Sequence, residues 1–230
     1  MLPSAAQVGL GDVTRPETLV GALDGINAVI FTLNSDGGGT VGAENVDYGG
    51  VRNVLSMLGS LDVRIALMTC IGVTNRMFSD QHLTVDLDWK RRAERLVRAS
   101  GLPYTIVRPG WFDFIGPNEQ RLVLMQGDTC QAGGPSDGVI ARRQVAEVLV
   151  RSLTSRQAVG KTFELVASYG TALGDMDASF QSLKADVPGA LDGVRDAPNM
   201  QFAREPKRVR DDLEAARKRG LISLTFARGA

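Results

Sequence analysis

The sequence predicts an α/β domain with a doubly wound, mostly parallel sheet, and three observations lead to this fold class. Short apolar, β-rich segments alternate with amphipathic helical patterns along most of the chain. Residues 63–69 are apolar except for Arg64 and Thr69, as expected for a strand that is buried on both faces of a parallel sheet. Residues 89–112 contain a helical pattern, a glycine stop, a buried strand and a Pro-Gly turn, which together form one wall of the ligand crevice in such sheets.

The N-terminal half supplies the first strand and helix alternations. In order, its predicted elements are a weak strand at 8–11, a helix at 16–23, a strong strand at 28–33, a helix at 44–58 and a strand at 63–69. A Gly-rich loop follows the second of these strands. Alternation of this kind favours right-handed β-α-β crossovers and therefore a parallel sheet.

The second half continues the alternation and then changes character after Ser168. In order, its predicted elements are a helix from Trp89 to a stop at Gly101, a strand at 104–107 broken by Arg108-Pro109-Gly110, a strand at 122–125, a helix at 142–153 and a strand at 162–167. Two further helical patterns, at 173–183 and 206–219, flank a loop rich in Pro, Gly and Asp. We therefore expect a core domain at 1–167 and a helical extension at 168–230 packed on it.

Composition excludes several classes of function. The formal net charge is zero, so no electrostatic term favours a nucleic acid or an anionic membrane as a partner. The N-terminus lacks the pattern of a signal peptide, and no apolar run reaches membrane-spanning length. Cys70 and Cys130 have no metal-ligand spacing, and His82 is the one histidine. These features predict a cytoplasmic protein with reduced thiols.

One glycine motif resembles a dinucleotide fingerprint. Gly37, Gly39 and Gly42 form G-x-G-x-x-G between a predicted strand and a predicted helix. Three residues separate the strand from the first glycine, and the next strand ends at Thr69 and Cys70, not at the acidic residue that would bind a ribose hydroxyl. The pattern favours an ordinary glycine loop over the fingerprint.

The ordered series GDVTRPETLVGALDGINAVIFT, VDYGGVRNVL, IALMTCIGVT and PGWF resembles the atypical, NmrA-like short-chain dehydrogenase/reductase family over about residues 8–167. The resemblance implies NADP or NAD as the cofactor, with NADP slightly favoured, and a small organic substrate. It places the adenine beside Asp12 and Val13. The residues it implies for the ribose, the pyrophosphate and the nicotinamide are Thr32, Leu33, Asn34, Pro109, Gly110 and Trp111.

The same resemblance weakens the catalytic expectation. Family enzymes place a proton-donating tyrosine four residues before a lysine, whereas here Lys90 is preceded by Asp86. Lys90 is expected either to hold the nicotinamide ribose or to be a surface residue paired with Glu94. Thr69, at the end of a strand, is the predicted hydroxyl that orients a substrate oxygen.

In this register the segment at 8–11 corresponds to the family's third strand. The chain would then lack a β-α-β unit of roughly 30 residues, which suggests a misplaced start or a truncated product. Three functions stay open: an NAD(P)-dependent oxidoreductase, a non-catalytic cofactor sensor or interaction protein, and a remnant that binds nothing. The oligomeric state is left open.

Overall fold

The computed structural model describes residues 4–58, 62–77, 81–112, 116, 118–172 and 174–227, without the side chains of 81–83 and 221–227. The strands are β1 (Ala28–Phe31), β2 (Arg64–Met68), β3 (Tyr104–Pro109), β4 (Trp111–Phe112), β5 (Arg121–Met125), β6 (Val139–Ile140) and β7 (Lys161–Ser168). The helices are α1 (Val20–Leu23), α2 (Gly39–Gly42), α3 (Gly49–Met57), α4 (Gln81–Ala99), α5 (Arg142–Thr154), α6 (Met176–Ser182) and α7 (Lys207–Ala227). A π-helical segment, Ala43–Tyr48, joins α2 to α3.

These strands form one sheet in the order β1-β2-β3-β7-β6-β4, and β5 also pairs with β7. β1, β2, β3 and β7 are parallel to one another, whereas β5 and β6 run antiparallel to β7. Helices α4 and α5 intervene between parallel strands, as crossover connections require. The predicted fold class, a doubly wound and mostly parallel sheet, is confirmed.

Two apolar cores lie on opposite faces of this sheet. Ile65 and Leu67 of β2 belong to one core, together with residues of α3, α4 and α7, and Ala66 between them belongs to the other. The second core includes buried side chains of α5 and α6. Successive residues of a strand point to opposite faces, so β2 is apolar at every position from Ile65 to Met68.

The strand predicted at 8–11 is wrong. This segment has no regular secondary structure, and Leu10 is 96% exposed. Gly9 and Gly11 flank Leu10, and glycine lowers the tendency to form a strand because it has more conformational freedom to lose. Within the described residues β1 pairs with β2 alone, so this segment does not extend the sheet.

The predicted break at Arg108-Pro109-Gly110 is also wrong, because β3 continues to Pro109 and the chain then enters β4. Proline lacks an N–H, but the Pro109 carbonyl accepts a hydrogen bond from the backbone N–H of Ile71, at 3.2 Å. The Gly110 N–H donates to the Leu165 carbonyl, at 2.9 Å. The Pro-Gly pair therefore keeps backbone hydrogen bonds to the segments on both of its sides.

The C-terminal part of the chain lies against α4. Helix α6 is shorter than the predicted 173–183, whose residue 173 is outside the described residues, and α7 extends beyond the predicted 206–219. Val209, Leu213 and Ala216 of α7 are buried in the first core. No helix among the described residues is long and apolar enough to cross a membrane.

Candidate functional site

A cavity of about 580 Å³ opens at the carboxyl ends of β1, β2 and β3. Its walls come from the residues that follow these strands, at 33–37, 68–72 and 109–112, and from the helices that lie over them. The carboxyl edge of a parallel sheet is the usual place for a ligand crevice, and this volume is typical of small-molecule sites. This cavity is our candidate site.

Lys90 reaches the cavity from α4 and is fixed there by two acceptors. Its Nζ donates to Oδ1 of Asp47 at 2.9 Å and to Oδ1 of Asn34 at 3.2 Å. The Asp47 side chain is 3% exposed, and its other oxygen accepts a hydrogen bond from the Ser35 hydroxyl. The partners of Lys90 are thus Asp47 and Asn34, and its predicted pairing with Glu94 does not form. An ammonium group has three N–H donors, so one can still serve a ligand.

Thr69 also lines the cavity, but its hydroxyl hydrogen is already used in a hydrogen bond within the protein. The Thr69 Oγ1 donates to Oε1 of Glu94, at 2.7 Å. Burial raises the pKa of Glu94, but the Arg108 guanidinium, 2.6 Å from Oε2, outweighs burial and leaves that pKa below its ordinary value. Glu94 is therefore an ionised acceptor, and Thr69 presents lone pairs to the cavity in this arrangement.

The position where the family has a tyrosine is Asp86, and it faces the cavity. Its Oδ1 is buried and has no hydrogen-bond partner among the described residues. Cys70, which also lines the cavity, is a weak nucleophile because burial raises the pKa of its thiol to about 12. Among the described lining residues, neither a thiolate nor a tyrosine hydroxyl is available for catalysis.

The end of β3 provides an aromatic wall. Pro109, Gly110 and Trp111 all line the cavity, as predicted for the nicotinamide end, and Trp111 is 41% exposed. Trp89 differs, because it is 7% exposed and its ring lies 5.4 Å from that of Tyr48 in the first core. Trp111 is therefore the tryptophan whose fluorescence can report on this cavity.

Leu33 and Asn34 line the cavity as predicted, whereas three other predicted residues lie apart from it. Asp12 is in an exposed turn, where hydrogen bonds from Thr14 lower the pKa of its carboxyl. The Val13 carbonyl accepts a hydrogen bond from Asn53 of α3, and Thr32 is not among the lining residues. The cavity thus includes residues predicted for the nicotinamide end, whereas Asp12, Val13 and Thr32 are not among its lining residues and stay predictions.

Sequence reasoning gave no role in the site to several lining residues, of which Asp47, Asp86 and the glycine loop matter most. Gly37 and Gly39 line the cavity with φ angles of +82° and +56°, and a Cβ at either would meet open space. The sequence signals for this loop were its G-x-G-x-x-G pattern and its position after a strong strand. Nothing in the local sequence indicated that Asp47 would be the partner of Lys90.

These lining residues fit a nicotinamide nucleotide. Asn34 and the aspartates can accept hydrogen bonds from ribose hydroxyls, and Lys90 can donate one. The glycine backbone at 37 and 39 leaves room for close approach, and Trp111 offers a flat apolar surface for a ring. When bound, the dinucleotide would supply a transferable hydride.

Comparison with known proteins also indicates a protein that binds a nicotinamide dinucleotide. The profile of the NAD(P)H-binding family matches residues 2–156. Sanguinarine reductase of Eschscholzia californica is 27% identical over 219 residues, covering 79% of each chain, and an uncharacterized sugar epimerase of Bacillus subtilis is 29% identical over 154 residues, covering 65% of this chain and 67% of that protein.

Solved structures support the fold. An NAD-dependent epimerase/dehydratase-like protein from Bacillus halodurans superposes with a TM-score of 0.59 at 19% identity, over 76% of this chain and 77% of that one. A Rossmann-fold NAD(P)-binding family protein from Shigella flexneri gives 0.50 at 21% identity, over 75% of each chain. The chain therefore belongs to the NAD(P)H-binding family of NmrA-like, atypical short-chain dehydrogenase/reductase proteins, and its cofactor is a nicotinamide dinucleotide.

Proposed function

We propose that this protein is an oxidoreductase that transfers a hydride between the dinucleotide and a small organic substrate in the cavity. The observation that carries the proposal is the placement of Lys90, which projects among the ends of three parallel strands and is held by Asp47 and Asn34. The similarity to a plant reductase supports this reaction class.

Each residue has a distinct role in this proposal. Lys90 holds the nicotinamide ribose with its remaining N–H, and Asp47 fixes the direction of that N–H. Leu33 and Asn34 lie beside the ribose and pyrophosphate. Pro109, Gly110 and Trp111 seat the nicotinamide ring, and Thr69 orients the reacting group of the substrate.

The finer identity of the cofactor and its adenine end also belong to the proposal. NADPH is expected to bind more tightly than NADH, on family analogy alone. Asp12 and Val13 stay the predicted residues of the adenine end, and Thr32 a predicted residue of the ribose end. A cytoplasmic location is part of the same proposal; three relatives are described as chloroplastic.

Fluorescence titration with NADPH and NADH tests the binding step. We expect a saturable change that disappears in Trp111→Phe and persists in Trp89→Phe, because only Trp111 faces the cavity. Lys90→Gln should weaken binding about tenfold, the effect of losing one charge-assisted hydrogen bond. Lys207→Gln is the control, because the Lys207 side chain is 80% exposed and outside the cavity.

Three outcomes discriminate the hypotheses. Absence of saturable binding by either nucleotide at millimolar concentration would contradict the proposal and favour a remnant. Saturable binding without consumption of reduced cofactor, across a panel of neutral and cationic electrophiles, would favour a sensor. Binding together with turnover that Lys90→Gln impairs supports the oxidoreductase.

A glycine pair tests whether the 37–42 loop also contacts the cofactor. Gly37 and Gly189 have φ angles of +82° and +80°, and a Cβ at either would meet open space, so alanine strains both backbones equally. Only Gly37 lines the cavity. If residues 37–42 are an ordinary loop, Gly37→Ala and Gly189→Ala should bind the cofactor equally well. A loss of cofactor affinity in Gly37→Ala alone would show that the loop is a binding element.

A further inference from the structure

The hydroxyl group of Thr69 has one fixed direction. The backbone N–H of Thr69 donates to the Val107 carbonyl at 2.9 Å, which holds the residue beside β3 at the end of β2. Its Oγ1 donates to Oε1 of Glu94 at 2.7 Å, and Glu94 is fully buried. Because a hydroxyl group has a single O–H donor, Thr69 has only lone pairs left for a ligand in the cavity.

Two arginines hold Glu94 in the form that accepts hydrogen bonds. Oε1 also accepts from Nε of Arg108 at 2.9 Å, and Oε2 accepts from Nη2 of Arg108 at 2.6 Å and from Nη2 of Arg98 at 3.2 Å. Both guanidinium groups are buried and bind further carboxylates. A carboxylate that receives these hydrogen bonds together with that of Thr69 stays ionised, so it has no proton to return to the Thr69 hydroxyl.

Rotation of the Thr69 hydroxyl toward a ligand is unfavourable. It would exchange a hydrogen bond to an ionised carboxylate for one to a neutral acceptor, and the charge-assisted bond is about twice as strong. It would also remove one donor from a carboxylate that is fully buried. Thr69 therefore stays an acceptor when a ligand enters the cavity.

A second, independent observation concerns the backbone N–H groups of this wall. Those of Ile71 and Gly72 donate to a carbonyl of β3 and to the Asp128 carboxylate, and those of Gly110 and Trp111 donate to carbonyls of other segments. These four lining residues therefore offer no backbone donor to a ligand. A carbonyl group at this point of the cavity would lose hydrogen bonds with water without replacing them there.

We propose that Glu94 is a positioning residue that fixes Thr69 as a hydrogen-bond acceptor, so that the cavity selects a ligand group that donates a hydrogen bond over the carbonyl group of the same skeleton. This inference rests on the proposed function, in which Thr69 meets the reacting group of the substrate. A hydroxyl or amine N–H satisfies the lone pairs of Thr69, whereas a carbonyl oxygen is opposed by them. The alcohol side of a hydride transfer is then bound more tightly than the carbonyl side.

Binding of cyclohexanol and cyclohexanone to the protein without cofactor tests this preference in the absence of turnover. The indole N–H resonance of Trp111 reports on the cavity in an NMR titration, because Trp111 lines it. We expect the alcohol to bind about fivefold tighter, which corresponds to one neutral hydrogen bond. Equal affinities, tighter binding of the ketone, or no saturable binding of the alcohol would overturn the proposal.

Glu94→Gln separates a positioning role from a structural one. Its amide oxygen is expected in place of Oε2, which faces two guanidinium N–H groups, and its NH₂ group beside Thr69. That NH₂ group then donates to Thr69 Oγ1, and the freed hydroxyl can donate to a ketone. We expect the affinity for cyclohexanone to rise about fivefold and that for cyclohexanol to stay unchanged, a gain that loss of stability cannot produce. An unchanged preference in folded Glu94→Gln would contradict the positioning role.

Two further variants complete this test. Glu147→Gln makes the same chemical change at an exposed position of α5 and should leave both affinities unchanged. Thr69→Val leaves the ion pairs of Glu94 in place, so it serves even where Glu94→Gln fails to fold. It should lower the affinity for cyclohexanol about fivefold and leave that for cyclohexanone unchanged.

The outcomes for Thr69→Val also separate this inference from the proposed function. A loss of cyclohexanone affinity in Thr69→Val would show that Thr69 donates to the carbonyl and would overturn the inference. Failure of NADPH and NADH to bind would instead overturn the oxidoreductase proposal, because the alcohol preference is measured without cofactor.

Discussion

Gly110 lines the candidate site and lies where two segments of the chain pass very close to each other. A Cβ at this position would lie 2.4 Å from the carbonyl oxygen of Gly138 and 3.1 Å from Cγ1 of Val166. Because both contacts involve the sheet, the strands would have to move apart. We predict that Gly110→Ala lowers the free energy of unfolding by about 2 kcal/mol.

Urea denaturation of Gly110→Ala and Gly134→Ala checks this prediction. Gly134 has extended backbone, and a Cβ there would meet open space, so its replacement should be nearly neutral. Similar unfolding midpoints for the two variants would show that the close approach at Gly110 has no energetic consequence.

Glu164, on β7, is a buried carboxyl with an unusual titration. Burial raises its pKa from 4.5 to about 7, and its hydrogen bond with Arg108, at 3.2 Å, only partly counteracts this. Between these two values the folded protein retains a proton that the unfolded chain releases. Stability should therefore fall as the pH rises from about 4.5 to 7, by at most about 1.4 kcal/mol per pH unit.

A pH series of urea midpoints for the wild type and Glu164→Gln tests this slope. The amide cannot ionise, so the variant should gain stability relative to the wild type as the pH rises through the window. Glu147→Gln, at an exposed position, should follow the wild type. A constant difference between the wild type and Glu164→Gln at all pH values would contradict the raised pKa.

At the scale of elements, α4 attaches the C-terminal segment to the sheet through buried ion pairs. Glu205 accepts hydrogen bonds from Arg92 at 2.7 Å and from Arg95 at 2.8 Å, and its side chain is 1% exposed. Removing one member of a buried ion pair leaves the others uncompensated. We predict that Glu205→Gln lowers the free energy of unfolding by about 3 kcal/mol.

The matched control is the exposed pair of Lys207 and Asp211, whose side chains are 80% and 58% exposed. Asp211→Asn should change stability by about 0.5 kcal/mol or less, because surface pairs are solvated and weak. Thermal unfolding of both variants measures the difference. If Glu205→Gln proves as mild as Asp211→Asn, the buried pairs of α4 do not attach the segment.

The charged face of α4 also explains part of what sequence reasoning could not reach. The apolar spacing of Trp89, Ala93 and Leu96 predicted the helix and its buried side correctly. Its arginines are buried as well, because they meet Asp192 and Glu205, about 100 residues later in the chain. Local periodicity contains no information about partners at that separation.

At the scale of the whole molecule, the question is whether the predicted parts at 1–167 and 168–230 unfold together. Leu213 of α7 is fully buried in the first core, beside residues of α3 and α4. We predict that Leu213→Ala lowers the free energy of unfolding by about 3 kcal/mol and that the protein still unfolds in one transition.

Trp89 fluorescence and far-UV circular dichroism, followed in parallel, check this prediction. Trp89 is in the same core, so its signal should change together with the helical signal. Glu214→Ala is the control, because Glu214 is the exposed neighbour on α7. An early loss of helix signal before the tryptophan transition would show that the extension is a separate cooperative unit.

The sequence by itself determined the alternation of the main strands and helices after residue 28, the mostly parallel sheet and the family. The apolar run of β2, the period of α4 and the segments after each strand were sufficient, because burial on two faces and helical spacing are properties of neighbouring residues. They also placed Lys90, Thr69 and Trp111 at the carboxyl edge, where the structure has them.

Only the tertiary structure decided how those residues are used. It paired Lys90 with Asp47, directed the Thr69 hydroxyl to Glu94, and placed Asp86 at the cavity with one carboxylate oxygen buried and unpartnered among the described residues. Each of these contacts joins residues from different elements, and its chemistry depends on burial, which the local sequence does not contain. The same physical reason explains why an apolar segment at 8–11 forms no strand: a strand requires a neighbour with which to pair.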